Sequence, residues 1–159
     1  MDRIQEAMAS AWRAARNSDD PSTQLGAVLL PRDCAQTIIG WNHLPPGTPP
    51  SYWHDRDKKY RRVIHAEEHV VIKAALTGLC TSHATLVCPW ACCIRCAGFI
   101  IESGISRMVI DNEAMRRSPE RWQQEINDAH ELLVQNGIEI EGIDFTMKKP
   151  VTLFDGKEW

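Results

Sequence analysis

His65-Ala66-Glu67 and, further along, Cys93-Ile94-Arg95-Cys96 restrict what this chain can fold into more than any other part of it. Together they supply an imidazole and two thiolates, three ligands suited to one zinc ion, with one carboxylate left over. A closed structural zinc site takes four protein ligands, whereas a catalytic one takes three and leaves the fourth position to water. The count here is three, and Glu67 remains free for proton transfer. A fold that uses both motifs must bring two distant segments to one point. Both segments read as helix starts. Cys93 and Cys96, three residues apart, share one helical face and can reach the same ion. The partial positive charge and unpaired N–H groups of a helix N-terminus also favour thiolate over thiol.

Plainer readings compete. A redox CxxC pair wants a thioredoxin-like strand context and has no use for His65 or Glu67. A zinc knuckle wants a fourth protein ligand, which His69, one turn beyond His65, could supply. The open three-ligand site is preferred because spacing and helix placement both fit it. Cys92 abuts Cys93, but only Cys93 and Cys96 are separated by two residues. On a helix Cys92 would point about 100° away, so it is expected to be a small buried hydrophobe. Cys88 ends a strand and is expected in the core. Cys34 and Cys80 follow no pattern, which leaves open a second structural zinc using one of them.

At 159 residues and 43% hydrophobic, the chain fits a single domain over residues 1–159 with a real core. A net charge of −3 argues against a broad nucleic-acid surface. No apolar run approaches the roughly 18 residues of a membrane span, and the opening Met1-Asp2-Arg3-Ile4-Gln5 shows no signal-peptide pattern. Four of the six cysteines crowd between Cys88 and Cys96, which suits metal binding better than disulfides. A cytoplasmic location is expected.

Ile4, Ala7, Met8, Ala11, Trp12 and Ala15 recur at helical spacing over residues 2–16. Leu25 to Leu30 and Thr37 to Trp41 read as a hairpin around Pro31-Arg32-Asp33. A Pro-rich loop follows from Pro45 to Pro50. A helix from Ala66 to Leu76 stops at Gly78, and Thr85 to Cys88 reads as a buried strand. A helix over 93–103 closes near Gly104, and Met108 to Ile110 is another strand. Pro119 to about Gln135 is helical up to Gly137, and Ile138 to Ile140 forms a last strand. The order α-β-β-α-β-α-β-α-β predicts an α/β fold, a three-layer α/β/α arrangement around one five-stranded mixed sheet. The segment 142–159 has no clear assignment.

The His-x-Glu … Cys-x-x-Cys arrangement marks zinc deaminases that act on a cytosine or adenine ring, and the surrounding sequence narrows the resemblance. Asp20-Pro21-Ser22-Thr23-Gln24-Leu25-Gly26-Ala27, Ile39-Gly40-Trp41-Asn42-His43-Leu44-Pro45-Pro46-Gly47, Asp57 to Glu67 and Cys96 to Ile105 resemble the deoxycytidylate (dCMP) deaminase family, in the family's order. The resemblance runs over roughly residues 1 to 140. It implies the cytidine deaminase fold, Zn2+ as cofactor, and hydrolytic conversion of dCMP to dUMP with Glu67 shuttling the proton. It also implies a homo-hexamer activated by dCTP and inhibited by dTTP, with small-molecule nucleotides rather than nucleic acid or membrane as partners.

The same resemblance gives Asn42 the deoxyribose 3′-hydroxyl and places Gln24 in the adjoining substrate loop. It gives Ala66 the base edge through its backbone groups, and Trp90 a place against the pyrimidine. Three positions depart from the family pattern. Cys92 stands where proline usually precedes the first cysteine, and Trp41 replaces the usual tyrosine. His69 replaces an asparagine, as in the pyrimidine deaminases of riboflavin synthesis. The alternatives are therefore a dCTP or dual dCMP/dCTP deaminase, a riboflavin-pathway deaminase, or a zinc-binding module without activity. The basic run Lys58, Lys59, Arg61 and Arg62 beside the motif is a candidate phosphate contact or a solvated face.

Overall fold

The computed structural model describes residues 2–33 and 36–158. Its centre is a five-stranded sheet in the order β2-β1-β3-β4-β5. The strands are β1 (Gly26–Leu30), β2 (Ile38–Trp41), β3 (Thr85–Val87), β4 (Arg107–Asp111) and β5 (Glu139–Ile143). β1 runs antiparallel to both β2 and β3, while β3, β4 and β5 are mutually parallel neighbours. The sheet is thus mixed, as the order of elements requires.

Alternate residues of β1 feed two cores. Val28 and Leu30 join Val87 and Val109 beneath α1 (Arg3–Ala15), which contributes Met8, Ala11 and Trp12. Ala27 and Leu29 join Leu86 and Met108 on the opposite face. That face is covered by three further helices, α3 (Ala66–Thr77), α4 (Ile94–Glu102) and α6 (Gln123–Gln135), through Val70, Ala74, Ile100 and Leu133. The result is the α/β/α sandwich. Asp2 starts α1 by accepting from the Ile4 N–H, and Gly78, at φ 71°, ends α3 in the left-handed region where glycine carries no Cβ penalty. No helix among the described residues is long and apolar enough to cross a membrane.

Five elements have no counterpart in the hydrophobic pattern. A 3-10 turn, Pro50–His54, and α2 (Arg56–Arg62) follow the Pro-rich loop, and neither buries a residue. Periodicity cannot detect a helix without an apolar stripe; α2 instead starts on Asp55, whose carboxylate accepts from the Lys58 N–H. A single turn, α5 (Asn112–Arg116), is capped by Asp111. The segment after Gly142 extends β5 and then forms a hairpin of β6 (Leu153–Phe154) and β7 (Lys157–Glu158). The expected helix from Pro119 begins later: Pro119 is extended, Glu120–Trp122 forms a 3-10 turn, and α6 follows.

α3 lies directly over Gly40 of β2. A Cβ built there meets Val70 Cγ1 at 2.9 Å and the Ala66 carbonyl oxygen at 3.1 Å. Gly40→Ala should therefore push α3 away from the sheet at the end that carries His65. The expected cost is roughly 1–3 kcal/mol, the range for overpacking, measured by urea denaturation against wild type.

Candidate active site

His65 immediately precedes α3 and Cys93 immediately precedes α4, both with extended backbone. The two helix starts open toward each other. His65 Nδ1 lies 3.4 Å from Cys93 Sγ and 3.3 Å from Cys96 Sγ. The three ligand atoms all lie within 4.8 Å of one another, and no other such group occurs among the described residues. Tetrahedral zinc, with bonds of about 2.0 Å to nitrogen and about 2.3 Å to sulfur, sets N and S roughly 3.6 Å apart. The donor set and its spacing fit that ion.

The electrostatics suit it too. A hydrogen bond from Cys96, reinforced by His65, pulls the Cys93 thiol down to about 4 despite its burial. The bond to Cys93, together with burial, pushes Cys96 the other way. Burial opposes a charge on His65, but its contacts with Cys93 and Glu67 outweigh that and raise its pKa. One thiolate is thus preformed, and ligation must displace the Cys96 proton.

Glu67, in the first turn of α3, is 4% exposed and lines the same pocket. Burial raises its pKa from the usual 4.5 to about 7, against the pull of His65. A carboxyl poised there can both take and give a proton near neutrality.

His69 does not complete a four-ligand set. His65 lies ahead of the helix, so helical spacing does not align the two imidazoles. His69 Nδ1 instead lies 3.1 Å from the Trp41 carbonyl oxygen, and its ring packs against Trp41 and His43. Cys92 is 2% exposed and packs in the core beside the site, as does the fully buried Cys88. Cys80 is exposed, and Cys34 lies outside the described residues.

The pocket that Glu67 faces is also lined by Asn42, Ala66 and Trp90. Asn42 is tightly bound within the protein. Its Oδ1 accepts from the Leu25 N–H at 2.8 Å, and its Nδ2 donates to the Thr23 carbonyl oxygen and to Asp20. What remains for a ligand is one lone pair on Oδ1. Gln24 lies off the pocket. It donates to the Ser18 carbonyl oxygen and accepts from the Leu153 N–H, which fastens the C-terminal hairpin to the 20–24 loop. Of the basic run, only Lys59 lines the pocket, and it is paired with the buried Asp20 at 2.7 Å.

The hairpin supplies residues that no local pattern marks. Phe154 packs edge-on against Trp90, with ring centroids 4.8 Å apart, and Trp90 meets Trp122 the same way at 6.1 Å. Asp155, next to Phe154, pairs with Arg121 at the pocket wall. The segment from 142 to 159 had no assignment from its sequence, and only the folded chain brings Phe154 against Trp90.

A mixed sheet between helices, with an open three-ligand centre beside a buried carboxyl, has the form of a zinc-dependent ring deaminase. Residues 1–112 match the cytidine and deoxycytidylate deaminase zinc-binding region, and the chain belongs to that family. It is 31% identical over 135 residues to an uncharacterised deaminase from the luxG 3′ region of Aliivibrio fischeri, covering 83% of this chain and 87% of that one. With human deoxycytidylate deaminase it shares 30% identity over 122 residues, covering 71% of this chain but 66% of the human enzyme. The dCMP deaminase of cyanophage S-TIM5 in apo form has the same fold, with a TM-score of 0.67 at 22% identity over 90% of this chain and 100% of that one. A pyrimidine deaminase/reductase from Thermotoga maritima matches at a TM-score of 0.61 and 23% identity, covering 87% of this chain and 36% of that one.

The raised pKa of Glu67 has a consequence for stability. Below about pH 4.5 the carboxyl is protonated whether the chain is folded or not, and its burial costs little. As pH rises from about 4.5 to about 7, the unfolded chain gives up this proton while the folded one keeps it, and stability falls by on the order of 3 kcal/mol, a loss complete above 7. Metal-free Glu67→Gln should therefore match metal-free wild type near pH 4 and exceed it at pH 8. Denaturant titrations at the two pH values measure this.

Proposed function

We propose that this chain is a zinc-dependent deaminase that converts dCMP to dUMP, with His65, Cys93 and Cys96 holding the metal and Glu67 carrying protons. The observation that carries the reading is the buried Glu67 carboxyl, poised near neutrality, in one pocket with an imidazole and two sulfurs at zinc-ligand spacing. Support for the substrate comes from the relatives. Human deoxycytidylate deaminase is among them, and the cyanophage enzyme, which shares the fold, has been solved in complex with dCMP and dUMP.

Zinc bound at this centre would supply a water whose pKa falls from about 15.7 to about 7. Glu67 takes a proton from water and delivers it to the ring nitrogen adjoining the reacting carbon. As the water oxygen bonds to that carbon, Glu67 passes the remaining hydroxyl proton to the exocyclic amine, and the C–N bond breaks to release ammonia and leave a carbonyl. A carboxyl with a pKa near 7 does both without a large mismatch in either direction. The Ala66 backbone, which lines the pocket beside Glu67, would read the base edge. The remaining lone pair of Asn42 Oδ1 can accept from a sugar hydroxyl. Trp90, held by its Nε1 donating to Ser118 Oγ at 2.6 Å, provides an apolar wall.

Two cations line the pocket, and they differ in availability. The partner of Lys59 is Asp20, whose side chain is 2% exposed and anchors Asn42, so withdrawing Lys59 would strand a buried charge. Arg121 and Asp155 are both substantially solvent-exposed. Such a pair contributes little and exchanges readily for a phosphate, which the guanidinium binds in two-pronged fashion. Arg121 is therefore assigned the 5′-phosphate. The family's implied assembly, a hexamer answering to dCTP and dTTP, belongs to the same proposal; Ile72, Leu76 and Phe99 on α3 and α4 leave apolar surface exposed for subunit contact.

Glu67→Gln should keep zinc and lose turnover by about 10²–10⁴ or more, since one group serves several proton transfers. Ammonia release beside metal analysis checks it; retention of a tenth of the activity would require another base. Deoxycytidine should be at least about a hundredfold poorer than dCMP in kcat/KM, because a site built for a charged partner rejects the analogue that lacks it. Arg121→Gln should narrow that gap. Equal values for the two substrates in the wild type would point to a nucleoside deaminase, and a preference for dCTP would change the substrate but not the chemistry.

A further inference from the structure

The two ligand-bearing segments are joined by an ion pair that proton transfer does not use. Glu68, directly after Glu67, is 4% exposed. Its Oε1 lies 2.7 Å from Arg95 Nε, and its Oε2 accepts from Arg95 Nη2 at 2.9 Å. The same Oε2 accepts the His65 backbone N–H at 2.8 Å. Arg95 Nη2 also donates to the Val63 carbonyl oxygen at 2.9 Å. Arg95 stands between Cys93 and Cys96 in the chain. One guanidinium–carboxylate contact therefore fixes the backbone on both sides of His65 to the turn that carries both sulfurs.

We propose that Glu68 and Arg95 are positioning residues for the zinc ligands, a buckle that holds His65 at metal-binding distance from Cys93 and Cys96 before the ion arrives. The inference rests on reading this centre as a zinc site. Its physical basis is that His65 and the two cysteines belong to different helix starts, so nothing covalent nearby fixes their spacing. A site whose ligands are already in place binds more tightly than one that must order them on binding. The contact is two-pronged, which fixes orientation as well as distance, and a lysine cannot reproduce it. Removing Arg95 strands the buried Glu68 carboxylate, whereas removing Glu68 leaves a guanidinium that is 41% exposed and still meets water but no longer ties the two segments together.

The test uses the full chain and reads metal affinity rather than activity. Zinc dissociation constants of wild type, Arg95→Gln, Arg95→Lys, Glu68→Gln and the double Glu68→Gln/Arg95→Gln are measured by competition with a chromogenic chelator. Absorption spectra of the Co2+ forms are recorded in parallel. Each Gln variant should bind zinc about 10–100-fold more weakly, the usual effect of losing an outer-shell partner. The double variant should be scarcely weaker than either single, because both remove the same contact. Arg95→Lys should fall between wild type and Arg95→Gln. The Co2+ bands of Arg95→Gln should shift or broaden as the ligand geometry loosens. Lys58→Gln, which breaks the exposed pair with Asp55, should leave affinity and spectrum unchanged. Wild-type affinity in both single variants, or strictly additive losses in the double, would overturn the proposal. A wild-type chain that bound no zinc would refute the metal centre itself, and the positioning role with it.

Discussion

An imidazole and two thiols from segments 28 and 31 residues apart meet within 3.4 Å, and the rest of the structure is arranged around keeping them there. Both segments precede helices that pack on one face of the sheet, so their positions are set by the hydrophobic core rather than by the loop itself. Gly40 allows α3 to sit close to β2, and Ile100 and Ala97 bury α4 beside it. The start of α4 also gives the Cys93 sulfur the Cys96 backbone N–H at 3.4 Å, which favours its anionic form. Glu67 follows from the same geometry: one residue into α3, it is carried below the surface, and loss of water, more than any neighbouring charge, brings its carboxyl into the neutral range.

Around this centre the polar groups are matched in pairs. Asp20 holds Lys59, Asn42 and the N–H groups of Ser22 and Thr23. Asp155 holds Arg121. Lys59 and Arg121 are thus already matched, while Glu125 at the same pocket meets only the Ile94 N–H among the described residues, so a ligand's negative charge must be accommodated by exchange rather than by a standing field. Exchange is easier where both members of a pair face water, which separates the Arg121 side of the pocket from the Lys59 side.

The candidate metal ligands and Glu67 were legible in the sequence because spacing carries them: Cys-x-x-Cys across a helix start sets the cap sulfur beside the first-turn sulfur, and His-x-Glu does the same for imidazole and carboxylate. The five core strands and the four main helices followed from hydrophobic period. α2 and the terminal hairpin did not, since one has no apolar stripe and the other gains its burial only by docking on a distant loop. Gln24 shows the limit of resemblance. Its neighbours in the motif reach the pocket, but its own amide faces Ser18 and Leu153, a choice made by tertiary contacts. His69 shows the limit of counting: its distance from His65 in sequence suggested a shared face, yet the helix starts only after His65.

The hairpin that closes the pocket lies beyond the stretch that matches the family. Residues 1–112 hold the three candidate metal ligands and Glu67, while Trp122, Phe154 and Asp155 come from further along and line the same pocket. The first stretch also lends Asn42, Ala66 and Trp90 to the pocket, so the later one adds a wall to a cavity already begun. Drift in the later stretch can reshape what enters the pocket without disturbing the bond-breaking apparatus. Lineages sharing the same metal motif can in this way diverge in diet while conserving their chemistry.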